Sequence, residues 1–184
     1  KKNLLLIDTE LTGLDPEKHE IIQLAAVLLD KKTLKEKKSF CTFIKPSKWA
    51  NRDPESMAIN NLGYEDVKKG KSLKRAISEF VKFAKPQSVV LSFYGGIADM
   101  VFMQNAFQKI KKSFPFDYHY FNLWPLFYAY LAKNGGLKNK ARYTGFTLDD
   151  LMEKYLINIS GTRHDALFDC RAEAEILRKI MRRM

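Results

Sequence analysis

Two carboxylates, Asp8 and Glu10, stand one residue apart at the end of the apolar run formed by residues 4–7. An unbroken apolar run is typical of a strand that is covered on both faces of a sheet. Because side chains alternate along a strand, Asp8 and Glu10 are expected on the same side of it. Two ionised carboxylates there repel each other, and a hard divalent cation would stabilise both. An edge strand with solvated acids would give the same local pattern, so this stretch alone is compatible with both interpretations.

Three further residues could take part in the same chemistry. Asp99 follows the predicted strand Val89–Phe93 and shares a helix face with apolar residues, so its side chain is expected to point inward. His164 precedes the last predicted helix, and Asp169 lies within that helix beside an apolar face. Histidine can accept a proton near neutral pH, which suits a general base. Taken alone, His164 also fits a purely structural role.

The hydrophobic pattern predicts the strands that would position these residues. After the first strand, the predicted strands are Ile21–Leu29, residues 40–44, Val89–Phe93 and residues 118–123. The short polar link between the second and third strands favours an antiparallel hairpin. A helix that begins after Ser72 precedes the fourth strand, and this strand, helix, strand order favours parallel pairing with the first. The pattern therefore predicts an α/β fold with a mixed sheet.

Turn and capping signals predict the remaining helices. Gly95-Gly96 forms a turn before the helix that carries Asp99, and Pro125 opens a later helix that ends at Asn134. Thr147, with Asp150 three residues later, is typical of a capping box. Residues 137–146 form a predicted loop that mixes basic and aromatic side chains, namely Lys138, Lys140, Arg142, Tyr143 and Phe146. Such a loop could contact phosphates and bases, or it could be an ordinary solvated loop.

Composition narrows the class of protein. The chain has 184 residues, which is enough for one domain with its own core, and its formal net charge is +11. A basic protein attracts polyanions such as nucleic acids, although lysine-rich surfaces also serve solubility. No apolar run approaches the ~20 residues of a membrane span, and the first run is too short for a secretion signal, so a cytoplasmic location is expected. Cys41 and Cys170 are the only cysteines, which excludes a cysteine-based zinc knuckle and disfavours a structural disulfide.

Taken together, the candidate residues resemble a known family. The segment Asp8-Thr9-Glu10-Leu11-Thr12-Gly13-Leu14, then Asp99, and then His164 with Asp169 resemble the three motifs of the DnaQ-like 3′–5′ exonucleases in order and spacing. The resemblance covers nearly the whole chain. The histidine five positions before the last aspartate is similar to the DEDDh branch of the family. Residues 93–98 depart from the common form of the second motif, and Asp117 is the alternative to Asp99.

The resemblance implies a fold, a metal site and a mechanism. The fold would be ribonuclease H-like, with a mixed five-stranded sheet flanked by helices on both faces, in a single exonuclease domain spanning residues 1–184. Two Mg²⁺ or Mn²⁺ ions would assist phosphodiester hydrolysis. By resemblance Asp8 would bridge the ions, Glu10 and Asp169 would complete one site, and Asp99 would act on the other. His164 would take the proton from the attacking water.

The same resemblance implies a substrate. Leu11, Thr12 and Gly13 occupy positions that would hold the 3′-terminal nucleotide, and the substrates would be single-stranded 3′ ends of DNA or RNA. A catalytically silent nucleic-acid-binding module with the same fold and an endonuclease are the alternatives. The motifs are compatible with several biological roles. These are work beside a polymerase in replication or repair, RNA processing, and degradation of oligonucleotides. No membrane partner is expected, and the oligomeric state is left open.

Overall fold

The computed structural model describes residues 2–94, 98–137 and 146–184. The strands in these ranges are β1 (Asn3–Leu11), β2 (Ile21–Leu29), β3 (Glu36–Phe43), β4 (Val89–Phe93) and β5 (Phe121–Asn122). They form one sheet in the order β3-β2-β1-β4-β5. β1 pairs antiparallel with β2, and β2 with β3, whereas β1 with β4 and β4 with β5 pair in parallel. The predicted mixed five-stranded sheet is therefore confirmed.

Helices cover both faces of this sheet. They are α1 (Pro54–Asn60), α2 (Tyr64–Val67), α3 (Leu73–Ala84), α4 (Ala98–Lys109), α5 (Leu123–Lys133), α6 (Leu148–Lys154) and α7 (Ala166–Met181), with 3-10 turns at Trp49–Asn51 and Pro86–Ser88. Leu5 and Ile7 of β1 pack in one apolar cluster with α3 and α4. Leu6 packs on the opposite face in a second cluster with α5, α6 and α7. The alternation along β1 thus separates two cores, and it assigns Asp8 and Glu10 to the α7 face.

Several predicted elements coincide with the structure because local signals and burial agree. β2 and β4 have the predicted bounds, since each is an apolar run interrupted by polar segments at both ends. The Ser72 hydroxyl accepts a hydrogen bond from the Arg75 N–H and caps α3. Thr147 and Asp150 form the predicted capping box at the beginning of α6.

The predicted bounds of β3 and β5 are wrong. β3 begins at Glu36 rather than residue 40, because its polar first half pairs with β2 along the exposed edge of the sheet. β5 contains only Phe121 and Asn122, because the Asn122 side chain caps α5. Consequently α5 begins at Leu123, and Pro125 is its third residue rather than its first.

Two predicted segments lie outside the described residues, namely the Gly95-Gly96 turn and residues 138–145 of the basic and aromatic loop. Phe146, at the end of that loop, is buried and stacks on Trp124 with ring centroids 5.6 Å apart. Both cysteines are free thiols; Cys170 is buried, whereas Cys41 is exposed on β3. Among the described residues, no helix is long and apolar enough to cross a membrane.

Candidate active site

Three carboxylates from distant parts of the sequence converge at the end of β1. Asp8 and Glu10 lie on the strand face that α7 covers, and Asp169 lies in the first turn of α7. One carboxylate oxygen from each of these residues lies within 4.8 Å of the other two. Oxygen atoms at such separations can share a divalent cation. The predicted convergence of these three acids is therefore present in the structure.

Asp99 reaches the same region from the opposite face of the sheet. It lies in the first turn of α4, is buried, and accepts two hydrogen bonds on Oδ1 from Thr9, one from the backbone N–H and one from the hydroxyl. Asp99 is not one of the three acids whose oxygen atoms lie within 4.8 Å of one another. Among the neighbouring carboxylates, however, its charge contributes most to the raised pKa of Asp8. Asp117, the alternative, is exposed and accepts a hydrogen bond from the backbone N–H of His119. Of the two candidates Asp99 and Asp117, it is therefore Asp99 that lies beside the three converging acids.

Burial and mutual repulsion raise the pKa values of these acids. The pKa of Asp8 is raised well above its ordinary range, first by burial and then by the neighbouring carboxylates. Burial, followed by repulsion from Asp169, raises the pKa of Glu10 to about 8. Burial raises the pKa of Asp99 to about 6, against the two hydrogen bonds from Thr9. A divalent cation would offset both the desolvation and the repulsion, so this oxygen donor set fits Mg²⁺ or Mn²⁺.

Arg163 supplies a positive charge beside the acids. Its guanidinium forms ion pairs with Asp169 and with the exposed Asp149, the latter with Nε and Oδ1 2.5 Å apart. Burial raises the pKa of Asp169, and the hydrogen bond and charge of Arg163 oppose that increase. Arg163 therefore contacts one of the carboxylates that a cation would use.

His164 lies in the loop that leads into α7. Its backbone has a φ of 61°, and its side chain is half-buried. The charge of His164 and a hydrogen bond from its backbone both lower the pKa of Asp169. It lines a cavity of about 470 Å³ between this loop and the end of α1. The other side chains that line this cavity include Asn60, Asn61, Thr162 and Arg163. The structure thus places the His164 imidazole beside a polar cavity, in the loop just before Asp169.

Gln23 holds the beginning of α7 against the sheet. Its Nε2 donates a hydrogen bond to Asp165 Oδ2 at 2.8 Å, and its Oε1 accepts one from the Ala166 N–H at 3.1 Å. Asp165 caps the helix by accepting hydrogen bonds from the backbone N–H groups of Leu167 and Phe168. Gln23 and Asp165 therefore fix where the loop carrying His164 meets the first turn of α7.

The predicted substrate-binding residues are the last residue of β1, Leu11, and the two residues of the turn that follows it, Thr12 and Gly13. The Leu11 side chain is buried in the core, and the Thr12 hydroxyl accepts a hydrogen bond from the Glu20 N–H. Gly13 has a φ of 155°, and a Cβ there would come within 2.3 Å of the His19 ring. Glycine is thus required at this position. These three residues directly follow Glu10, but the side chains of Leu11 and Thr12 contact protein rather than open space.

Three residues that support or adjoin the acids escaped the sequence predictions. They are Thr9, Gln23 and Glu173, of which Gln23 and Glu173 are almost fully buried. Gln23 could have been recognised from the sequence, since it is the one polar residue within the apolar run of β2. Glu173 could also have been recognised, because it follows Asp169 by four residues and therefore lies on the same helix face.

The chain is similar to several known proteins. The chain is 25% identical to the "DNA polymerase III PolC-type" of Thermotoga maritima over 98% of its own length, and it spans only 12% of that protein. It has a TM-score of 0.84 and 18% identity to "the zinc ion bound form" of the E. coli ExoI–ssDNA complex, covering 100% of this chain and 41% of that one. It has a TM-score of 0.75 and 20% identity to the nuclease domain of 3′hExo, "a DEDDh family member, bound to rAMP", covering 99% of this chain and 92% of that one.

These structural similarities show a shared ribonuclease H-like fold. The family described as "Exonuclease" matches residues 5–177, which includes all four acids of the motifs together with His164. The chain therefore belongs to the exonuclease family that its motifs resemble, the DnaQ-like exonucleases.

Proposed function

We propose that the chain is a metal-dependent 3′–5′ exonuclease that hydrolyses nucleotides from single-stranded 3′ ends. The observation that carries the proposal is the convergence of Asp8, Glu10 and Asp169 within 4.8 Å, with the buried Asp99 alongside. Acids so close together and so poorly solvated have little structural use, whereas they suit a pair of hard cations. Residues 1–184 act as one exonuclease domain in this proposal.

The proposed reaction assigns one role to the four acids and another to His164. Asp8, Glu10, Asp99 and Asp169 hold two Mg²⁺ or Mn²⁺ ions, which when bound would stabilise the attacking and leaving oxygens of an in-line displacement. A ring nitrogen of His164 takes the proton from the attacking water, and the polar cavity next to it leaves room for a nucleotide. His164 lines this cavity in the loop just before Asp169, which supports this role.

The proposed substrate-binding residues are Leu11, Thr12 and Gly13, acting through their backbone. These residues directly follow Glu10, at the end of β1 and in the turn after it, so a 3′-terminal nucleotide bound there would lie against the metal site. The net charge of +11 favours a polyanionic substrate. Single-stranded DNA and single-stranded RNA are both proposed substrates, and the similarity to an ssDNA-bound and an rAMP-bound protein supports testing the two side by side. A polymerase is a proposed partner, on the strength of the PolC-type relative.

The test uses DNA and RNA oligomers of one sequence, labelled at the 5′ end and incubated with Mg²⁺. We expect a ladder that shortens from the 3′ end with release of mononucleotides, and we expect circular single strands to survive. Asp8→Asn and Asp99→Asn should abolish the ladder, whereas the surface variant Asp117→Asn should retain it. Binding without product would indicate a silent nucleic-acid-binding module, and cleavage of circles would indicate an endonuclease.

A further inference from the structure

Glu173 is a buried carboxylate to which the proposed reaction assigns no role. It lies in α7 and is 1% exposed. Its Oε2 has no hydrogen-bond partner in the part of the chain that the structure describes. Leaving a carboxylate buried and unpartnered is costly, so such a group is expected to have a partner that protein atoms alone do not supply.

The surroundings of Glu173 are the acids of the proposed metal site. It follows Asp169 by one helical turn, and its charge helps to raise the pKa of Asp8. The charges of Asp99 and Asp169 in turn repel the ionised form of Glu173. Burial, followed by these repulsions, raises the pKa of Glu173 well above its ordinary value. Among the residues that the structure describes, Arg163 is the positive charge that opposes this increase, and its guanidinium is already paired with Asp169 and Asp149.

We propose that Glu173 supplies a fifth carboxylate to the divalent-cation centre, next to Asp8. This inference rests on the proposed metal-dependent function and deepens it. The unpartnered oxygen belongs to a buried side chain one helical turn after Asp169, and carboxylate oxygen is the donor that Mg²⁺ and Mn²⁺ prefer. The competing explanation is a neutral carboxylic acid that fills space between α7 and the sheet and contributes nothing to metal binding.

Isothermal titration with Mn²⁺ separates the two explanations. Glu173→Gln keeps the size of the side chain and removes its charge, and we expect Mn²⁺ affinity to fall about 10- to 100-fold. Thermal unfolding should show that Mn²⁺ stabilises this variant less than it stabilises the wild-type protein. Glu175→Gln is the matched control, because Glu175 lies on the same helix but pairs with Arg178 away from the acids. Its Mn²⁺ affinity should equal that of the wild-type protein.

Wild-type Mn²⁺ affinity in folded Glu173→Gln would overturn the inference. If circular dichroism shows that this variant does not fold, Glu173→Asp decides, since it withdraws the carboxylate by one methylene. A loss of about threefold or more in affinity would then support the inference, and unchanged affinity would overturn it. The wild-type titration distinguishes this inference from the proposed function. Absence of Mn²⁺ binding there would overturn both, whereas binding and cleavage by an unaffected Glu173→Gln variant would overturn only the role of Glu173.

Discussion

Thr9 holds Asp99 by two hydrogen bonds to a single carboxylate oxygen, from its backbone N–H at 3.1 Å and from its hydroxyl at 2.5 Å. Thr9 stands between Asp8 and Glu10 but points to the other face of the sheet. Strand β1 therefore carries Asp8 and Glu10 itself, and its residue Thr9, which lies between them, orients Asp99. A change at Thr9 should act on the metal site without removing any acid from it.

Thr9→Val tests this relationship, because valine keeps the branched shape and removes the hydroxyl. We expect the rate of Mg²⁺-dependent cleavage to fall about tenfold, since loss of an orienting hydrogen bond commonly weakens a metal site. The free energy of unfolding should fall by about 1 kcal/mol, as for a typical buried hydrogen bond. Cleavage rates and urea unfolding provide the measurements. Thr9→Ser keeps the hydroxyl and should retain most of the activity, and a fully active Thr9→Val would refute the orienting role.

The raised pKa of Glu10 predicts how stability depends on pH. Its pKa is 4.5 ordinarily and about 8 in the folded protein, so between these values the folded state keeps a proton that the unfolded state releases. Because the folded state binds more protons, the free energy of unfolding must fall as pH rises through this window. We expect the Tm measured in EDTA to decrease by several degrees between pH 5 and pH 8.

Divalent cations should reverse this dependence. A cation binds the ionised carboxylates, so the increase in Tm on adding Mg²⁺ or Mn²⁺ should be larger at pH 8 than at pH 5. Glu10→Gln removes one of the acids with a raised pKa and should make the decrease in EDTA smaller, whereas Glu17→Gln, elsewhere on the chain, should leave it unchanged. A Tm in EDTA that rises from pH 5 to pH 8 would contradict the assignment of Glu10 as a buried, protonated acid.

The sequence predicted the central part of this arrangement well. Asp8 and Glu10 follow an apolar strand whose alternation determines the face on which both lie, so their proximity required no knowledge of distant residues. β2 and β4 were predictable for the same reason, since their apolar runs are bounded by polar segments. The position of Asp169 relative to these strands depended on the resemblance to a family, because no local rule says where a C-terminal helix crosses a sheet.

What the sequence did not predict depends on contacts between distant segments. The polar half of β3 carries no strand signal of its own, and it becomes a strand because β2 offers an edge to pair with. The hydrogen bonds that Gln23 donates to Asp165 and accepts from Ala166 join residues more than 140 positions apart. The burial of Glu173 likewise follows from the packing of α7 on β1 and β2. Such features are consequences of the fold, and they become visible only when it is known.

Replacement of His164 tests the proposed general base. His164→Ala should lower the rate of single-turnover cleavage roughly 10²–10⁴-fold, because the attacking water would lose its proton acceptor. Mn²⁺ affinity should change little, since His164 is not a proposed ligand. His119→Ala is the control, because His119 is exposed and bonded to Asp117. Near-normal single-turnover cleavage by His164→Ala would remove the residue from the mechanism.

The ion pair between Arg163 and Asp169 makes a prediction opposite in sign to that for Glu173. The guanidinium pairs with one oxygen of Asp169, a carboxylate that a cation would use, and its positive charge repels a cation nearby. Arg163→Gln removes both effects, so Mn²⁺ should bind about fivefold more tightly, which corresponds to about 1 kcal/mol. Isothermal titration measures the change, and Arg171→Gln is the control because Arg171 pairs with Glu36 instead. If Arg163→Gln weakened Mn²⁺ binding, Arg163 would have to be orienting Asp169 for the metal rather than competing with it. Since Glu173→Gln should reduce the affinity and Arg163→Gln should increase it, the two variants together test whether local charge governs cation binding at this site.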